Sequence, residues 1–179
     1  MTDKISSRKG YIAAEFLNST HRISGEVNLR NQPLVDTLND TISTFVTGEN
    51  IYISPIEEPA TFIAQYPTGK LRKETISMVV VPREEDGLAR HTIYHNATTQ
   101  PITYNIFAVL PGFEVRGGVR LTAMLDVDNM LMQSIDRFIT IYRATATVVN
   151  RPEVQFSGGA ILLNRQQVTL FCIDKAAST

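Results

Sequence analysis

One cysteine in 179 residues rules out an intrachain disulfide. The lone thiol, Cys172, sits in the apolar run VTLFCI, where a small buried side chain is expected rather than a nucleophile. Neither sign of charge is in excess. Seventeen Lys and Arg against 18 Asp and Glu give a net charge of −1 and a pI near 6.3, so no overall positive field draws in nucleic acid or anionic lipid. Long hydrophobic runs are missing too: stretches such as IFAVL at 106–110 are far too short to span a bilayer. Residues 1–10, MTDKISSRKG, have no apolar segment of the signal-peptide kind, and a cytoplasmic protein is expected.

Catalytic and cofactor motifs are absent as well. No GxxxxGK, GxGxxG or GxSxG occurs, and the pairs Gly117-Gly118 and Gly158-Gly159 read as bulges or turns. His91 and His95 in HTIYH would stand about 13 Å apart on the strand that Thr92, Ile93 and Tyr94 favour, too far to share a metal. His21 is isolated and reads as surface or edge-strand packing. Asp126, Asp128 and Asn129 resemble the opening of a calcium loop, but Leu131 and Arg137 stand where its glycine and terminal glutamate belong. Asp128 reads instead as a helix cap. Glu57, Glu58, Glu84, Glu85 and Asp86 look like solvated surface charges, and sequons at Asn18, Asn39 and Asn96 carry no weight without a signal peptide. Neither a catalytic residue nor a metal or cofactor is expected.

What the chain does have is an echo. Residues 21–29, HRISGEVNL, return as 113–121, FEVRGGVRL, displaced by 92, and 72–81 correspond in the same way to 164–173. Each copy opens with a strand and a turn, YIAAEFL at 11–17 and YNIFAVL at 104–110. The second strand follows, and Gly25 and Gly117 mark a bulge or bend in it. A short helix is expected next, with Leu34, Leu38 and Ile42 on one stripe capped by Asp36 or Asn39, and with Leu131 and Ile135 following Asp128 in the second copy. A long β-branched strand follows at 45–54 and at 138–149, and a hairpin ends each copy, at 61–81 and at 160–173.

This predicts a mainly β protein of two tandem small β-barrel or sheet repeats in pseudo-symmetric arrangement, each with one short helix. Residues 1–10 are a flexible tail, 11–82 the first repeat, 83–102 a linker with an extra strand at 91–95, 103–175 the second repeat and 176–179 a tail. HRISGEV, then Leu34, Asp36, Leu38 and Asn39 in PLVDTLN, then FVTGENIYIS, together resemble an uncharacterised bacterial small β-barrel family. Val127 and Asp128 match Val35 and Asp36 in the second copy, but Leu131 stands where Asn39 would be. That family has no assigned activity, so the resemblance implies a fold and not a function.

The functional expectation is a non-enzymatic structural or interaction protein that self-associates, or docks into a larger complex, through strand edges and apolar turns. Met124, Met130 and Met132 form the candidate interaction surface. The alternative is a ligand- or RNA-binding small barrel using second-copy residues: Arg116, Arg120, Arg137, Tyr142 and Arg143, with Arg165, Phe113 and Phe138 beside them.

Overall fold

The structure, a computed structural model, describes residues 9–89, 102–121, 130–131 and 134–175. Alternation of apolar and polar residues produces the outer strands, and continuous apolar runs produce the central ones. In chain order these are β1 (Tyr11–Leu17), β2 (His21–Asn28), β3 (Phe45–Pro55), β4 (Ala64–Arg72), β5 (Met78–Val81), β6 (Ile102–Leu110), β7 (Phe113–Leu121), β8 (Phe138–Val148), β9 (Arg151–Ser157), β10 (Ala160–Asn164) and β11 (Leu170–Lys175). A short helix, α1 (Leu34–Asn39), precedes β3, and 3-10 turns follow β4, β5 and β10. In β1, Ile12, Ala14 and Phe16 are buried; in β6, Tyr104, Ile106, Ala108 and Leu110 are.

All eleven strands join one antiparallel sheet in the order β11-β6-β7-β8-β10-β5-β1-β2-β3-β4, with β9 pairing alongside β10 on β8. The path is open. Among the described residues strands β11 and β4 end it, each with one partner, so the sheet does not close as a barrel. The expected bulges are present: the β2/β3 register shifts between Ser24 and Glu26, and the β7/β8 register between Arg116 and Gly118. Asn50 and Arg143 take positive φ, 51° and 48°, on the strands facing those shifts.

The middle of the sheet is its driest part. Every residue of β5 and β10 is buried, and the two pair from Ala160↔Val81 to Leu163↔Met78. Alternate side chains enter two different cores. Met78, Val80, Ile161 and Leu163 pack with β6, β7 and β8; Val79, Val81, Ala160 and Leu162 pack with β1, β3 and α1. Each such side chain taken out of water contributes roughly 1.5–3 kcal/mol.

Polar side chains fix this junction. The fully buried Asn164 donates from Nδ2 to the Ile76 carbonyl at 2.8 Å, and its Oδ1 accepts from Gln166 N at 3.1 Å. Ser77 Oγ donates to Gln167 Oε1 at 2.7 Å, and Gln167 Nε2 donates to the Glu74 carbonyl at 2.7 Å. Asn39 pairs with the backbone of Phe138, accepting from its N–H at 2.7 Å and donating to its carbonyl at 3.0 Å, which ties α1 to the start of β8. Lys73 is buried and donates to the Asp40 carbonyl at 2.8 Å; burial lowers its pKa, Asp40 opposes that, and Arg137 adds to it. Gly159 makes the tightest approach, since a Cβ there would lie 2.2 Å from Arg83 C and Glu84 N.

Several expectations are corrected. The terminal hairpins do not form: β4 and β5 are separated by β1, β2 and β3 in the sheet, and β10 and β11 pair with β5 and β6. Residues 67–72, expected to turn, belong to β4. A strand, β9, was missed because Pro152 reads as a breaker, yet Pro is tolerated at the start of an edge strand. Helix α1 starts after Pro33 and has no side-chain cap; Asp36 lies in its first turn and Asn39 in its last. It ends before Ile42, which is 94% exposed instead of on the stripe, and Ile135 is 86% exposed. Cys172 is exposed because β11 is an edge strand. The tails at 1–8 and 176–179, the strand expected at 91–95 and the turn at 123–129 lie outside the described residues. No helix among the described residues is long and apolar enough to cross a membrane.

Substituting Asn164→Ala leaves the Ile76 carbonyl with only the long bond from Gln167 Nε2 at 3.4 Å, removes the acceptor of Gln166 N–H, and should cost roughly 1–3 kcal/mol in urea unfolding. Gly159→Ala should cost more than Gly69→Ala, whose Cβ would meet only Ile51 Cγ1 at 3.4 Å; equal midpoints for the two glycine variants would contradict the tight junction.

Candidate functional site: a basic cleft and two open edges

Strand register gathers four of the five residues singled out for the binding alternative. On one side of β7, Thr103 of β6 lies opposite Arg120, and Asn105 opposite Gly118. On the other side, Arg116 lies opposite Thr145 of β8, and Gly118 opposite Tyr142. Because paired residues share a face, these side chains converge, with Arg143, around a cavity of about 570 Å³. The bulge makes the floor. A Cβ on Gly117 would stand 2.7 Å from Ile141 Cγ2 and 2.9 Å from the Ala144 Cβ, so β7 and β8 meet this closely because a glycine lies between them.

The three arginines are held differently. Arg120 forms an ion pair with Glu84 at 2.5 Å, and its guanidinium lies 4.2 Å from the ring centre of Tyr142. Arg116 is exposed and lies 4.6 Å over Phe107, its register partner on β6. Arg143 is exposed and occupies the left-handed region at φ 48°, a conformation that costs a non-glycine residue about 1 kcal/mol or more. Burial holds the Tyr142 phenol above its ordinary pKa, against the opposing pull of Arg120 and with a smaller push from Glu84. The phenol therefore keeps its proton at neutral pH and offers an O–H donor. Among the described residues no carboxylate lines the cavity, and neither Arg116 nor Arg143 has an acidic partner.

Ninety-two positions earlier, Ser24, Gly25, Glu26 and Asn50 line a cavity of about 710 Å³ with Glu15, Arg22, Tyr52 and Phe62. Here Arg22 bonds Glu15 at 2.6 Å, and Asn50 donates to Glu26 at 2.9 Å. The backbone is bulged in the same way, but the lining has the opposite sign: Ser24 replaces Arg116 and Glu26 replaces Gly118.

The remaining sequence candidates lie elsewhere. Arg137 is half-buried just before β8 and lines no part of the basic cleft. Arg165 is spent on structure, its guanidinium donating to the carbonyls of Leu131, Ser134 and Asp136. Phe113 and Phe138 are core residues. Met130 packs partly buried against the core, while Met124 and Met132 lie outside the described residues. Thr103, Asn105 and Thr145 complete the cleft and went unnoticed, since only the pairing register distinguishes them from other strand residues. Exposed apolar side chains gather by the β4 edge, where Phe62, Ile63 and Tyr66 are each more than half exposed and Phe62 packs on Tyr52 at 5.5 Å between ring centres. On the β11 edge, Leu170 and Cys172 are exposed. Among the described residues no group of three or more His, Cys, Asp or Glu is placed to hold a metal.

Comparison with protein-family models, curated proteins and solved structures finds no match for this chain.

Because Gly117 sets the β7–β8 spacing, Gly117→Ala should destabilise the fold by roughly 1–3 kcal/mol as Ile141 and Ala144 are forced aside. Urea unfolding measures the loss, and an unchanged midpoint would mean that the bulge relaxes freely.

Proposed function

We propose that this protein is a non-enzymatic structural module, built by duplication of a small curved sheet, whose copies join head to tail through their open edges. The observation that carries this reading is the β5–β10 junction. Strands β5-β1-β2-β3-β4 and β11-β6-β7-β8-β10 follow one order of connection, offset by 92 residues, and the two sets meet where the last-placed strand of one pairs with the first-placed strand of the other. The edges left over, β4 and β11, are the same two kinds of strand. A second copy that lays its β11 on β4 would repeat between chains the contact already made within the chain. Such a contact is heterologous, and repeated it leads to a ring or a filament.

Two features support an edge that accepts a partner: the unpaired backbone of β4 and β11, and the apolar surface beside them formed by Phe62, Ile63, Tyr66 and Leu170. The contact between chains should be weaker than the one within. Tyr66 and Pro67 stand where Gly158 and Gly159 allow the close approach, and Lys70 stands where β10 has Leu162. Association should therefore depend on concentration.

Size-exclusion chromatography with light scattering should show a mass that rises with loading. The register Ile161↔Val80, moved to the edges, places Gly69 opposite Cys172 of a second copy. Gly69→Cys should accordingly yield a ladder of disulfide-linked chains under mild oxidation, where the parent stops at dimers or monomers. A strict monomer at the highest attainable concentration, with no ladder, overturns the proposal.

A further inference from the structure

We infer that the basic cleft between β6, β7 and β8 binds a small ligand carrying two or more phosphate groups, a function independent of edge association. The chain as a whole is slightly acidic, so a cavity lined by Arg116, Arg120 and Arg143 and, among the described residues, by no carboxylate is a local reversal of sign. Glu84 offsets one of these charges through Arg120, leaving about two positive charges on Arg116 and Arg143. Stacking on Phe107 and Tyr142 orients two of the guanidinium planes, which limits the rotamer freedom lost when an anion is grasped. Arg143 sits at the bulge in a backbone conformation that an arginine occupies at a cost, and the result is a third guanidinium at the same concavity. The Tyr142 hydroxyl, the Thr103 and Thr145 hydroxyls and the Asn105 amide add neutral donors.

The volume of about 570 Å³ falls within the range of small-molecule sites. A phosphate offers several acceptor oxygens to planar, multi-donor guanidinium groups, whereas a monovalent carboxylate would leave donors unmatched. A polynucleotide would need a basic track leading out of the cleft. Arg137 and Arg165 do not supply one, since the first lies outside the cleft and the second is bonded to backbone carbonyls. The cavity 92 residues earlier has Glu26 and a Glu15 already paired with its one arginine, Arg22, so it lacks the positive charge that the same ligand needs.

Isothermal titration of the full chain at low salt with pyrophosphate, a nucleoside triphosphate and a single-stranded ten-nucleotide RNA separates the sources of phosphate. Pyrophosphate and the triphosphate should both bind. Combining Arg116→Gln with Arg143→Asn, the latter chosen because asparagine tolerates positive φ, should weaken them about tenfold or more, while Arg151→Gln on β9 should leave them unchanged. Circular dichroism and urea midpoints establish that the variants are folded. Failure of both small ligands to bind at about 1 mM overturns the proposal, as does binding that the double variant does not weaken or binding of the RNA alone. None of these outcomes depends on whether the chain self-associates.

Discussion

The pairing of β5 with β10 is the contact on which the rest of the molecule depends. Both strands are buried on both faces, and each sends alternate side chains into two cores, to which β1 and β8 on either side of the pair also contribute. A substitution at Val79 or Leu162 is therefore felt in the core around β1 and α1, and one at Val80 or Ile161 in the core around β6 to β8. The glycine pair 158–159 brings the backbones together, and Asn164, Ser77 and Gln167 satisfy the polar groups that this closeness buries. Burying eight apolar residues this completely also explains why β5 and β10 lack polar alternation, in contrast to the half-wet strands at either end of the sheet.

The same structural device recurs in the two halves. A register shift beside a glycine opens a concavity on the surface of each half, near Gly25 and near Gly117. In one the wall is Glu15, Ser24 and Glu26; in the other it is Arg116, Arg120 and Arg143. Backbone geometry is thus kept while the electrostatics are inverted. Edge pairing and the basic cleft use different atoms: main-chain groups at the ends of the sheet for one, side chains over its interior for the other.

Much of this was legible in the sequence. Alternation located β2 and β7, apolar and β-branched content located β1, β3, β6 and β8, and the glycines of HRISGEVNL and its echo marked real bulges. Arg116 and Arg120 stood out because Ser24 and Asn28 occupy the positions 92 residues earlier. Partner choice was not legible: an apolar run such as MVVV or AILLN states that a strand is buried without stating against what, and proximity in sequence argued for hairpins that the sheet does not contain. The role of Asn39 was equally hidden, because its partner is the backbone of Phe138, 99 residues away, and a main-chain amide leaves no mark in the sequence. Cys172 was misjudged for a related reason, since the run VTLFCI looks like a central strand and lies at the rim.

The distance along the chain between β5 and β10 shapes how the protein must be made. Asn164 reaches Ile76 across 88 residues, so during synthesis the edge Met78–Val81 leaves the ribosome well before its partner exists. For that interval the nascent first half displays an unpaired run of valines with no charge or proline within it, the kind of edge that finds other chains. Pro82 and Arg83 are translated next, then Glu84, Glu85 and Asp86, so three acidic residues against one basic leave like net charge close behind that edge on every nascent copy.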